Sequence, residues 1–131
     1  MKKTKLINSE LSYAIATLGH TQMLVVGDAG LPVPPETERI DLALTEGIPG
    51  ALDTLRVILE EMQVEKVILA EEVKTRNPKY LDAVRALLPG ITMEFVPHTT
   101  FKKLTIDARA VVRTGEFAPF ANIILVSGVV F

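Results

Sequence analysis

Cysteine is absent from this 131-residue chain, and histidine occurs only twice. The first absence removes disulfide frameworks, thiolate nucleophiles and cysteine-ligated zinc, without fixing the compartment. The second leaves two histidines far apart in sequence, so a zinc site is not expected. No apolar run approaches the roughly 18 to 20 residues a membrane-spanning helix needs, although 48% of residues are hydrophobic. No Walker loop is present, and Gly27-Asp28-Ala29-Gly30 lacks the third glycine and the spacing of a dinucleotide fingerprint. There is no basic stripe either: 14 Lys plus Arg stand against 16 Asp plus Glu, net charge −2, and the basic residues are scattered, which excludes nucleic acid as the expected partner.

The length is that of one domain able to bury its own core, and no repeat or linker-like shift divides it, so residues 1–131 are read as a single domain. Met1-Lys2-Lys3 starts like a signal peptide, but no apolar core or cleavage site follows, and a mature cytoplasmic start is expected. The apolar ending Val129-Val130-Phe131, in so small a domain, predicts burial between subunits and hence an oligomer.

Asn8 or Ser9 caps a helix with Leu11, Ile15 and Leu18 on its apolar face, and Gly19 stands where a left-handed residue would end it. Met23 to Val26 reads as a buried strand with Asp28 beyond its end, followed by the extended, proline-rich loop Leu31 to Pro35. A half-buried strand is predicted over 40–44, a helix over 52–63 and a buried strand over 64–69. Asn77-Pro78 starts a helix that stops at Pro89-Gly90. Ile91 to Val96 is strand-like, Thr99 or Thr100 caps a short helix to Leu104, and strands follow near 110–112 and 123–126. Strands alternating with helices predict a three-layer α/β/α domain with a largely parallel or mixed sheet.

His20 and His98 fall in predicted loops, where functional groups are commonly presented. Imidazole gives and accepts protons near neutrality, so His20 reads as a general acid or base, or else as a solvent-facing residue beyond a helix end. His98 is a second site residue or a polar linker. Asp28 binds hydroxyls, orients an imidazole or caps its own turn. In the dense connector 113–122, Phe120 suits the apolar face of a sugar and Asn122 offers both a donor and an acceptor, while Arg113 and Glu116 suggest a structural ion pair. Glu71 and Glu72, as neighbours on a strand, would point to opposite faces and so do not make a hydrolase pair. Cofactor-free proton transfer survives this elimination.

Leu18-Gly19-His20-Thr21, Asp28 to Pro34, Arg39 to Leu44, Arg113 to Glu116 and Pro119 to Leu125 together resemble the D-ribose pyranase family, which is related to the fucose mutarotases. The resemblance runs in order from Lys2 to Phe131. It implies interconversion of the pyranose and furanose rings of D-ribose, with no cofactor and no metal, in ring-shaped homodecamers whose sites lie near subunit contacts. It further implies His20 as proton donor and Asp28, His98, Lys102, Phe120, Ala121 and Asn122 as sugar-binding residues. Two departures stand out: the family usually has tyrosine where this chain has Phe120, and often aspartate where it has Gln22, which makes Asp28 the expected carboxylate partner of His20. The alternatives are a mutarotase for another sugar such as L-fucose, or a non-catalytic sugar-binding protein.

Overall fold

The computed structural model describes residues 1–131. Its strands are β1 (Met23–Gly27), β2 (Glu38–Asp41), β3 (Val64–Ala70), β4 (Thr92–Val96), β5 (Ala110–Arg113) and β6 (Ile123–Ser127). Its helices are α1 (Ser9–Ala16), α2 (Ala51–Leu59), α3 (Val73–Arg76), α4 (Pro78–Leu87) and α5 (His98–Leu104), with a 3₁₀ turn over Thr105–Asp107. The six strands make one sheet in the order β2-β5-β1-β6-β3-β4.

Alternation along the central strands fills both faces, because successive side chains point to opposite sides. On one face Leu24, Val26, Val67, Leu69, Ile123 and Leu125 meet Leu11 of α1, Leu55 and Ile58 of α2, and Leu81 and Val84 of α4. On the other, Val25, Ile68, Val111 and Ile124 meet Leu31 and Phe101 of α5. A large aliphatic side chain buried to this degree contributes roughly 1.5–3 kcal/mol. Strands covered on both sides can be apolar throughout, as β6 is, whereas the edge strand β4 alternates exposed and half-buried residues.

The sheet is mixed for one reason. β6 runs antiparallel between β1 and β3, with Leu125 opposite both Leu24 and Val67, while the remaining pairings are parallel. The beginning of β6 therefore lies beside the ends of β1, β3, β4 and β5. The other end of the sheet collects the beginnings of β1 and β3 and the end of β6.

Several local expectations are corrected. α1 stops at Ala16 with Thr17 as its C-cap, and Gly19 is not left-handed. The strand predicted over 40–44 is β2, three residues shorter at its far end, because the chain turns away into a Thr45–Ile48 bridge. α2 ends at Leu59 instead of running to Gln63. α5 begins at His98 itself, with no threonine cap.

Gly115 shows how tightly the connector after β5 is seated: a Cβ there would collide with the carbonyl oxygen of Thr45 and would lie 2.6 Å from that of Ile48. Backbone cannot give way as a flexible side chain can, so only glycine fits.

Candidate active site

Asp28 follows β1 directly, His98 follows β4, and Phe120 and Asn122 precede β6, so the topology gathers all four at one end of the sheet. They line a hollow of about 230 Å³ together with Gly30, Leu31, Pro32 and Pro119. Asn122, with only 1% of its surface exposed, locks the acid in place. Its Oδ1 accepts the Asp28 N–H at 2.7 Å and its Nδ2 donates to Asp28 Oδ2 at 3.0 Å. Asp28 Oδ1 accepts the Gly30 N–H at 3.0 Å, the side-chain-capped turn foreseen for it. Gly27 keeps this corner close-packed, since a Cβ there would stand 2.6 Å from Leu31 Cδ2 and 3.3 Å from Asn122 Oδ1 and would make the leucine shift.

His98 stands against both aromatics of this end. Its ring lies parallel to Phe101 at 6.1 Å and meets Phe120 edge-on at 5.1 Å. Its Nδ1 is buried without a hydrogen-bond partner. A buried polar atom left without a partner is costly, which sets this histidine apart from an ordinary core residue. Phe120 adopts a left-handed backbone, φ 55°. For a bulky side chain that is a strained geometry, held by the loop around it, in which Asn77 Nδ2 donates to the Pro119 carbonyl at 2.9 Å.

Glu72 lies beyond the end of β3, not on it, and accepts the His98 N–H at 3.0 Å, capping α5 from outside. Its carboxyl is held below the usual 4.5 by its own backbone N–H first and by the His98 N–H and the histidine's charge next, against an opposing pull from burial. Since the folded carboxyl titrates below its unfolded value, the stability this cap contributes is full above pH 4.5 and disappears as pH falls through the lower folded value. Wild type therefore unfolds at a higher temperature than Glu72→Gln at neutral pH, and the gap closes on acidification below 4.5. Thermal unfolding of the two proteins across pH checks it.

Tyr80 is buried behind this end, and its hydroxyl has no partner. Burial, aided by the charges of Glu116 and Asp28, pushes the phenol well above its ordinary range and keeps it protonated. Arg113 and Glu116 are not paired with each other: Arg113 Nη1 meets Asp41 Oδ2 at 3.1 Å, and Glu116 accepts the Ala118 N–H at 3.0 Å and the Ala51 N–H at 3.3 Å. The connector is thus folded by Glu116 acting on backbone donors.

Two residues expected to contact the sugar do not line this hollow. Ala121 is fully buried in the main core. Lys102 is exposed, because α5 turns the preceding Phe101 inward and so turns the next residue out.

His20 is at the opposite end. It precedes β1 where Asp28 follows it, and a five-residue strand alone spans about 16 Å. The expected contact between Asp28 and His20 is therefore absent within one chain. Instead His20 Nε2 lies 2.8 Å from Oε2 of Glu65, a residue the sequence reading passed over. The imidazole is displayed by a tight turn, with Gln22 Oε1 accepting the Gly19 N–H at 2.7 Å and Thr21 left-handed at φ 67°. Gln22 thus supplies the turn-closing oxygen where aspartate was expected. The turn is pinned to β6 by Thr21 N–H to Ser127 O at 2.9 Å and Ser127 N–H to Gln22 O at 2.8 Å. His20 also lines a groove of about 430 Å³ with Ile15, Leu18, Met62, Val130 and Phe131. The hollow at Asp28 adjoins a second cavity of about 450 Å³ that Asp28, Gly30 and Pro119 also line, and His20 lies in neither.

Residues 1–130 match the RbsD / FucU transport protein family. A D-ribose pyranase of Chloroflexus aggregans is 60% identical over 131 residues, all of both chains. The solved structure of Bacillus subtilis RbsD complexed with D-ribose superposes with a TM-score of 0.97 at 49% identity, again over the full length of both chains. A fucose mutarotase of Streptococcus pneumoniae, solved in complex with L-fucose, superposes with a TM-score of 0.86 at 25% identity, covering both chains fully.

Proposed function

Because the chain belongs to the RbsD / FucU transport protein family, we propose that it is an isomerase that opens and recloses the ring of D-ribose, exchanging its pyranose and furanose forms. The observation that carries the reading is the convergence of Asp28, His98, Phe120 and Asn122 on one small hollow. Ring opening breaks the bond between the anomeric carbon and the ring oxygen. One proton goes to that oxygen and one leaves the anomeric hydroxyl, giving the open aldehyde. Reclosure on a different hydroxyl reverses both transfers, so no redox partner or cofactor enters.

His20 is assigned the proton delivered to the ring oxygen, because an imidazole gives and takes protons near neutrality. Asp28 is the acceptor assigned to the anomeric hydroxyl, Asn122 holds Asp28, His98 lines the hollow beside it, and Phe120 stacks on the sugar's apolar face. Since His20 and the hollow occupy opposite sheet ends, the working site combines the hollow of one chain with His20 of a second copy. The reading places the protein in a ring-shaped homodecamer in the cytoplasm, without nucleic acid or membrane as partner. No helix is long and apolar enough to cross a membrane. The apolar residues left uncovered at the chain's end, Val130 at 87% and Phe131 at 100% exposure, support association of copies.

NMR saturation transfer between pyranose and furanose signals tests the activity: accelerated exchange for D-ribose supports it, and binding without acceleration leaves a sugar-binding protein. Likeness to an L-fucose-bound mutarotase makes L-fucose the comparison sugar, and D-ribose is expected to exchange faster. Phe120→Tyr restores a phenol at the hollow. One net hydrogen bond is worth roughly 0.5–1.5 kcal/mol, so the KM for ribose should fall about two- to tenfold in the same assay.

A further inference from the structure

We propose that Glu65 is the positioning residue for His20, holding the imidazole through Nε2 so that Nδ1 is the nitrogen turned to the sugar. The inference deepens the reading of His20 as proton donor and rests on it. A glutamate carboxylate at neutral pH only accepts hydrogen bonds, so the 2.8 Å contact from Oε2 to Nε2 puts a hydrogen on Nε2. In the neutral ring Nδ1 is then the bare nitrogen, and in the charged ring it carries the transferable proton. One contact thus decides which nitrogen does the chemistry.

The backbone around Glu65 supports this role independently. β3 pairs with β6 through Val64 opposite Ser127 and Lys66 opposite Val126, so Glu65 is the extra residue of a bulge. A bulge departs from strict alternation and re-aims a side chain, and bulges gather beside functional sites. Here the bulged residue Glu65 meets the imidazole that the turn displays. Ser127 also receives and returns the hydrogen bonds that pin that turn, and its partner on β3 is Val64, the residue before Glu65. Gly128 follows it, and a Cβ there would come within 3.2 Å of the Glu65 Cβ. The glycine leaves Glu65 its room.

Side-chain exposures of 54% for His20 and 42% for Glu65 explain why folding alone does not demand the pair. Exposed ion pairs contribute little to stability. Covered by a second copy and a sugar, the same contact strengthens as water leaves it, which places its effect in the assembled site.

Glu65→Ala and Glu65→Gln, with wild type, separate positioning from mere structure. Long-range ¹⁵N–¹H NMR of the His20 ring should show Nε2 protonated and Nδ1 bare in neutral wild type, and averaging of the two tautomers in Glu65→Ala. In the exchange assay Glu65→Ala should lose about tenfold or more in kcat, yet less than the 10²–10⁴-fold typical of removing a proton-transfer group itself. KM for ribose should move little, because Glu65 hydrogen-bonds only to His20 and to none of the residues assigned to holding the sugar. Glu65→Gln keeps an accepting oxygen and should recover the tautomer and most of the rate. Unchanged ring tautomer and unchanged kcat in Glu65→Ala would overturn the proposal. A wild type that accelerates no exchange would instead overturn the function, while the ring tautomer would still report whether Glu65 holds His20.

Discussion

His20→Ala lowers pyranose–furanose exchange by about 10²–10⁴-fold, the range a positioned proton-transfer group contributes, while the protein stays folded. The two halves of this result come from different parts of the structure. His20 is exposed and its one side-chain hydrogen bond is to Glu65, so its loss removes no buried hydrogen bond. Surface changes of that kind stay within about 0.5 kcal/mol. The turn that carries it is held by Gly19, Gln22 and Ser127 without help from the imidazole. A rate loss with unchanged thermal unfolding and unchanged ribose affinity separates chemistry from folding and binding. Saturation-transfer NMR supplies the first measurement and calorimetry the other two.

Asn122→Ala has a different signature, because Asn122 acts through Asp28. Truncation leaves the Asp28 N–H without its acceptor and Oδ2 without its donor, in a place where Asn122 itself is almost completely buried. Leaving buried polar groups unpaired costs about 1–3 kcal/mol, so the unfolding temperature falls. The Asp28 carboxylate is freed to swing, and misplacing a reacting group by an ångström costs on the order of 10²-fold in rate. Exchange and ribose affinity should both drop, unlike in His20→Ala. Unfolding scans and ribose titrations on the same preparation check the pairing of effects.

Much of this was legible in the residues. β1 and β3 announce themselves as short branched apolar runs, and Asn77-Pro78 marks the start of α4, where Asn77 Oδ1 accepts the Tyr80 N–H. Asp28, His98, Phe120 and Asn122 were each singled out as chemistry-bearing residues at element ends, and the fold brings them together. What no local pattern discloses is that β6 runs antiparallel, which is why the residues before it join those after β1 and β4. The expected His20–Asp28 contact is absent within one chain for a simpler reason: a residue before a strand and one after it sit at opposite ends of the sheet. Glu65 went unnoticed because a bulge, which depends on pairing with β6, breaks the alternation by which a strand is read. Ala121 and Lys102 came from the family resemblance, and packing decides against their side chains in the hollow: one belongs to the core and the other to the outer side of α5.

The central claim is that each working site takes His20 from one copy and Asp28, His98, Phe120 and Asn122 from another. His20→Ala and Asn122→Ala chains, each nearly inactive alone, should regain exchange when unfolded and reassembled together. In random rings about a quarter of the sites then join an intact hollow to an intact imidazole, since each site draws one half from each of two chains. Mixed rings, verified by native mass spectrometry, that remain as slow as either parent would contradict the shared site.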